Sequence, residues 1–150
     1  GDSLYINSYD DNLYCIAKNK GEILWKAKVG GSSTPILFSD KIITASSKGD
    51  LVSLSKKDGT VFWKTKSADG IFVDPTLLKG LVVAGESQGK INFFDALTGE
   101  LKGTFEPGRG IFSKSAVIAD KNSIYFISGE GNVYGVSAKY NSKSSIYYLK

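Results

Sequence analysis

Histidine and methionine are absent from this 150-residue chain, and cysteine and arginine occur once each. Without histidine there is no imidazole acid–base catalysis, no Ser-His-Asp triad and almost no route to a zinc site. Cys15 cannot form an intrachain disulfide and, with no histidine to activate it, is a poor nucleophile. It stands at an alternating position between Tyr14 and Ile16, which predicts a buried, inert thiol. Cysteine usage leaves the redox compartment open. The missing methionine marks a processed, trimmed or excerpted chain, so the lack of a signal peptide is uninformative. No apolar run reaches about 18 residues, so no transmembrane helix and no direct membrane insertion are expected.

Charge is equally spare. The net charge is +4 and the pI about 9.0, almost wholly from lysine, with Arg109 the single arginine. Base reading and stacking on single strands lean on arginine. The lysines are scattered through turns, which predicts solvated turns and no nucleic-acid partner. The phosphate-binding pattern GxxxxGK is missing. Gly129-Glu130-Gly131 precedes a strand rather than a helix, which argues against a dinucleotide site. Asp10-Asp11 sits in a turn without EF-hand spacing, so turn chemistry is expected there rather than calcium.

What is present is repetition. DNLYCIAKNKGEILWK (11–26), KGDLVSLSKKDGTVFWK (48–64) and QGKINFFDALTGELKG (88–103) share one pattern, with a weaker echo in EGNVYGVSAKYNSKSS (130–145). The turn glycines Gly21, Gly59 and Gly99 lie 38 and 40 residues apart. A period near 40 residues signals a propeller or a solenoid. Alternating segments such as 3–8, 13–18, 22–28, 33–38, 41–47, 51–56 and 60–66 are separated by turn signals every 8–12 residues. About fifteen short strands result, and no window carries a helical apolar period. The chain therefore reads as all-β, a β-propeller of four-stranded antiparallel blades with about four blades present. The repeats run roughly 1–30, 31–70, 71–110 and 111–150, within a single domain spanning 1–150. Trp25 and Trp63 hold equivalent places in the fourth strand of their cycles and are expected to pack between blades.

The pattern of a small residue, an acid, a turn glycine and a tryptophan resembles the quinoprotein-type (PQQ-like, BamB-like) repeat, AxDxxTGxxxW. Asp95, Thr98 and Gly99 match its centre; Gly21 to Trp25 and Gly59 to Trp63 match its end. Cys15, Ser53 and Gly135 fill the small position. Phe93 and Gly103 depart from it in repeat three, Ala17 and Ser55 replace the acid, and Asn141 stands near the fourth turn. The segments SSTP (32–35), FVDP (72–75) and FSKS (112–115) resemble the innermost-strand motif of the same family. The family includes quinone-dependent alcohol dehydrogenases, outer-membrane assembly factors and luminal sensor domains. The resemblance implies a non-catalytic scaffold or protein-interaction module in the periplasm or another extracytoplasmic space, with no cofactor. The alternatives it leaves are part of a quinone-dependent dehydrogenase and a ligand-sensing propeller. Family members carry seven or eight blades. The chain is thus expected to be a fragment of a longer propeller, or a half-propeller that self-associates to complete one.

Two groups of side chains are candidates for function. Loops joining fourth to first strands and second to third strands emerge on one rim. Phe72, Arg109, Ile111 and Phe112 lie there and form a candidate surface for a protein or peptide partner. The alternative is that Phe72 and Phe112 plug gaps between blades. Thr34, Asp74 and Lys114 occupy equivalent positions 40 residues apart. Neighbouring blades would then bring Asp74 near Lys114, as a structural ion pair or as a small polar site in the funnel.

Overall fold

The computed structural model describes residues 1–68, 70–87, 89–106, 118–120, 122–127, 131–139 and 147–149. Among them there is no helix. The strands are β1 (Ser3–Asn7), β2 (Leu13–Ala17), β3 (Ile23–Ala27), β4 (Ile36–Phe38), β5 (Lys41–Ala45), β6 (Asp50–Ser55), β7 (Val61–Lys66) and β8 (Thr76–Leu78). They continue as β9 (Leu81–Gly85), β10 (Ile91–Asp95), β11 (Leu101–Phe105), β12 (Ile118–Ala119), β13 (Ser123–Ile127), β14 (Val133–Lys139) and β15 (Tyr147–Leu149). They form four antiparallel meanders: β1-β2-β3, β4-β5-β6-β7, β8-β9-β10-β11 and β12-β13-β14-β15. These are called sheets one to four.

The turns explain the meander. Gly21, Gly59 and Gly99 all have positive φ, between 69° and 74°. The same two backbone bonds close each turn. Gly21 N donates to Ala17 O, Gly59 N to Ser55 O and Gly99 N to Asp95 O, at 2.8–3.0 Å. In return Ala17 N, Ser55 N and Asp95 N donate to Glu22 O, Thr60 O and Glu100 O. The register then slips at Cys15/Ile16, Ser53/Leu54 and Phe93/Phe94, one bulge at the same place in three sheets. A bulge sharpens strand twist where the edge strand begins.

The prolines set where the first strand of a cycle begins. Pro35 and Pro75 directly precede β4 and β8, so SSTP and FVDP run ahead of the strands rather than within them. Proline has no N–H to give to a ladder. Ser33 supplies what the backbone cannot: its Oγ accepts from Ala45 N at 3.0 Å and donates to Ala45 O at 3.1 Å. Asp74 accordingly lies in the approach to β8 and not on a strand, which corrects its expected placement.

The chain divides into two compact units, Gly1–Phe72 and Val73–Lys150. In the first, Leu13 of sheet one packs with Ile42, Val52 and Leu54 of sheet two, flanked by Tyr5, Trp25, Ala27 and Val29. In the second, Leu78, Leu81, Val83, Ile91 and Phe93 of sheet three pack with Ile124, Phe126 and Val136 of sheet four. Phe126 and Tyr134 stack at 5.1 Å, with Phe105 edge-on to both. Each fully buried aliphatic or aromatic side chain contributes about 1.5–3 kcal/mol of transfer free energy. Sheets two and three are apolar on both faces; all five residues of β9, LVVAG, are buried.

Trp25 joins sheet one to sheet two. Its ring lies 6.0 Å from that of Tyr5, both flanking the small Cys15 on their shared face. Trp25 Nε1 and Tyr5 Oη each donate to Lys56 O at 3.3 Å. The indole also covers the turn of sheet two: a Cβ on Gly59 would come within 2.8 Å of it. The small residue in the middle strand therefore makes room for the tryptophan, and the turn glycine of the next sheet gives it a seat. Cys15 is buried beneath these rings, and its thiol is closed to solvent.

Candidate interaction surface

The rim of the first unit is a set of turns tied by hydrogen bonds. Gly30 N donates to Asp11 O at 2.9 Å, and Ser47 N donates to Gly30 O at 3.0 Å. Ser47 Oγ donates to Asp11 Oδ1 at 2.6 Å. Ser67 N donates to Gly49 O at 2.8 Å. Beneath the rim, Asn7 Nδ2 donates to Ser33 O at 2.7 Å and Thr44 Oγ1 at 2.5 Å. Asn7 thus bridges sheet one to sheet two through a buried Ser33 and Thr44. Asp10 has turned its carboxylate onto its own loop, taking Tyr14 Oη at 2.5 Å and Asn12 N at 3.1 Å. The Tyr14 bond, with help from Asn12, holds the Asp10 carboxyl well below the usual carboxylate range and pushes the Tyr14 phenol up. The acidic pair Asp10-Asp11 is thus turn chemistry.

Two apolar side chains project from this fixed rim. Tyr9 is 89% exposed and Ile71 is 46% exposed. Phe72, the sequence candidate, is only 4% exposed, so it is a packing residue and not a presented anchor. Consecutive residues of extended chain point to opposite sides, so presenting Ile71 buries Phe72. Arg109, Ile111, Phe112 and Lys114 lie outside the described residues, as does Asn141. The Asp74–Lys114 pairing therefore has one described partner, a half-buried Asp74 beside a buried Pro75. Tyr9 and Ile71 escaped the sequence reading because each sits in a stretch that reads as turn. The signal for Tyr9 was a large aromatic ring inside the polar run Tyr9-Asp10-Asp11-Asn12.

The rim presents contact surface on loops held by hydrogen bonds. An aromatic and an aliphatic side chain stand on loops whose backbone is already fixed, so contact costs little ordering entropy. A quinone with its metal would need a vicinal cysteine pair or a convergent set of acids. Cys15 is single and buried, and no group of three or more metal-ligating side chains converges among the described residues.

A family model described as outer membrane protein assembly factor BamB matches residues 9–142. The outer membrane protein assembly factor BamB of Shewanella oneidensis is 25% identical over 132 residues, covering 87% of this chain and 33% of that protein. The factor of the same name from Burkholderia pseudomallei is 31% identical over 107 residues, covering 70% of this chain and 28% of its own. The crystal structure of BamB from Moraxella catarrhalis superposes with a TM-score of 0.77 at 20% identity, covering 90% of this chain and 42% of that one. That likeness is one of fold: the four sheets are β-propeller blades. The chain spans about a third of the length of the curated relatives it matches.

Proposed function

The chain belongs to the family of the outer membrane protein assembly factor BamB, and from that membership we propose that it is a non-catalytic propeller module that binds protein partners. The observation that carries the reading is the rim: Tyr9 and Ile71 exposed on loops tied to one another by Gly30, Ser47 and Gly49. The partner is a protein engaged in outer-membrane protein assembly, and the compartment is periplasmic. Tyrosine at the centre of such a contact carries about 2 kcal/mol or more when truncated.

A photo-crosslinking residue placed at position 9 or 71 of the full-length protein, in cells, tests this. Adducts with outer-membrane assembly proteins at those two positions, absent from a control at Lys20, are expected. Equal labelling at all three positions, or none at 9 and 71, would overturn the reading. Turnover of an alcohol by the purified protein with quinone and calcium would overturn its non-catalytic part.

A further inference from the structure

Lysines are scattered along the chain, but the meander gathers three of them on the rim of the first unit that carries Tyr9. Lys28 follows β3, Lys48 sits in the turn between β5 and β6, and Lys66 ends β7. Antiparallel strands bring these points and the Ser8–Asn12 turn to the same end of sheets one and two. Lys28 and Lys66 hold equivalent places, three residues beyond Trp25 and Trp63. All three lysines are exposed.

The loops that carry them are joined. Lys48 stands between Ser47, whose Oγ donates to Asp11 Oδ1 at 2.6 Å, and Gly49, whose carbonyl accepts from Ser67 N at 2.8 Å. Gly30, two residues from Lys28, donates to Asp11 O and accepts from Ser47 N. A Cβ on Gly30 would come within 2.3 Å of Asn12 O, so the Lys28 loop lies against the turn that presents Tyr9.

The acids of this rim are engaged otherwise. Both Asp10 oxygens are taken within its own loop, Oδ1 by Asn12 N at 3.1 Å and Oδ2 by Tyr14 Oη at 2.5 Å. Asp11 holds Ser47. Asp50 is 5% exposed and pairs with Lys64 at 2.7 Å. Among the described residues no carboxylate pairs with Lys28, Lys48 or Lys66. In the second unit the place equivalent to Lys66 holds Glu106, paired with Lys90 at 3.9 Å, so the lysine set is a feature of the first unit.

We propose that this rim takes an acidic segment of its protein partner, with aspartate or glutamate side chains meeting Lys28, Lys48 and Lys66 and an apolar side chain resting on Tyr9. The inference rests on the protein-binding reading above and names the chemistry of the partner. Exposed ammonium groups draw an oppositely charged segment in and set its salt dependence, whereas the tyrosine ring holds it. A peptide can place its apolar residue beside Asp10 and Asp11 and its acids at the lysines. A phosphate chain or an anionic bilayer is negative throughout and would meet Asp10 and Asp11 as well.

The test uses the purified full-length protein with a photo-crosslinking residue at position 9 and three synthetic peptides. The peptides share their leucines and differ in the alternate residue: glutamate, glutamine or lysine. The glutamate peptide should label about tenfold more strongly than the glutamine peptide at about 50 mM salt, and the advantage should shrink at about 500 mM. Lys48→Glu should lower that labelling about threefold, and Lys20→Glu, at the opposite end of sheet one, should leave it unchanged. Lys28→Glu, Lys48→Glu and Lys66→Glu combined should turn the preference toward the lysine peptide, which a folding defect would not do. Equal labelling by the glutamate and glutamine peptides would overturn the proposal, and so would a triple variant that still prefers glutamate. Vesicles containing phosphatidylglycerol that bind through the same lysines in place of the peptide would overturn it in favour of a lipid surface. In cells, adducts from position 9 with outer-membrane assembly proteins should fall about tenfold in the triple variant. Adducts that persist there would overturn the acidic segment and leave the protein-binding reading intact. Adducts missing even with all three lysines in place would overturn both.

Discussion

Sheets two and three solve one packing problem with opposite residues. In sheet two, Ser53 of the middle strand lies between Ile43 and Trp63. In sheet three, Phe93 holds that place, between Val83 and Gly103. The large ring has moved one strand inward and the small residue one strand outward. Judged singly against the family pattern, Phe93 and Gly103 are two departures. Judged as cross-strand partners they are one exchange that keeps the volume. Sheets are specified by such pairs more than by single positions.

The sharpest way to break the exchange is to empty it. Phe93 is fully buried, and Phe93→Ala should cost about 3–5 kcal/mol in urea unfolding followed by circular dichroism. Overfilling comes next. Gly103→Trp alone puts two large rings across one pair and should cost about 1–3 kcal/mol. Adding Phe93→Ser to Gly103→Trp should recover part of that loss, since it rebuilds the arrangement of sheet two. A double variant less stable than Gly103→Trp would mean the pair is not an exchange.

A smaller gain sharpens the comparison at the turns. Asp95 Oδ1 accepts from Leu97 N at 2.9 Å and Thr98 N at 3.0 Å, whereas Ala17 has no acceptor at the same place. Ala17→Asp should therefore stabilise by about 0.5 kcal/mol, read as a raised urea midpoint. The smallest effect is an acid one. Thr60 N donates to Asp58 Oδ1 at 3.1 Å, and that bond, with Ser55, holds the Asp58 carboxyl below its ordinary value. A carboxyl lowered in the folded state adds stability that is complete above its unfolded value and is lost as pH falls through the lowered one. The urea midpoint should thus fall below the usual carboxylate range, and Asp58→Asn should flatten part of that fall.

Much of this was legible from residue order. Alternation and turn glycines located the strands, the four-strand cycle and the equivalence of Gly21, Gly59 and Gly99. Positive φ at all three follows from chemistry that only glycine meets cheaply. What alternation cannot supply is the neighbour. It gives Trp25 a face but not its seat on the Lys56–Gly59 turn, and it places Phe93 without showing that Gly103 lies opposite. Proline marked strand ends correctly, yet the onset of β4 came three residues late because Ser33 replaces backbone pairing with a side chain. At the rim alternation left the choice of face open: Phe72 is buried and its neighbour Ile71 is exposed.

Trp25 of sheet one rests on the Lys56–Gly59 turn of sheet two, and that contact holds the two sheets together. Gly21 and Gly59 share φ and hydrogen bonding and differ in whether an indole lies above them. The deciding measurement is the unfolding free energy of Gly59→Ala with and without Trp25→Ala, beside Gly21→Ala. Gly21→Ala should cost about 1–2 kcal/mol of left-handed strain. Gly59→Ala should cost about 1–3 kcal/mol more, and that excess should vanish when Trp25 is alanine. Equal costs for Gly59→Ala in both backgrounds would contradict the account.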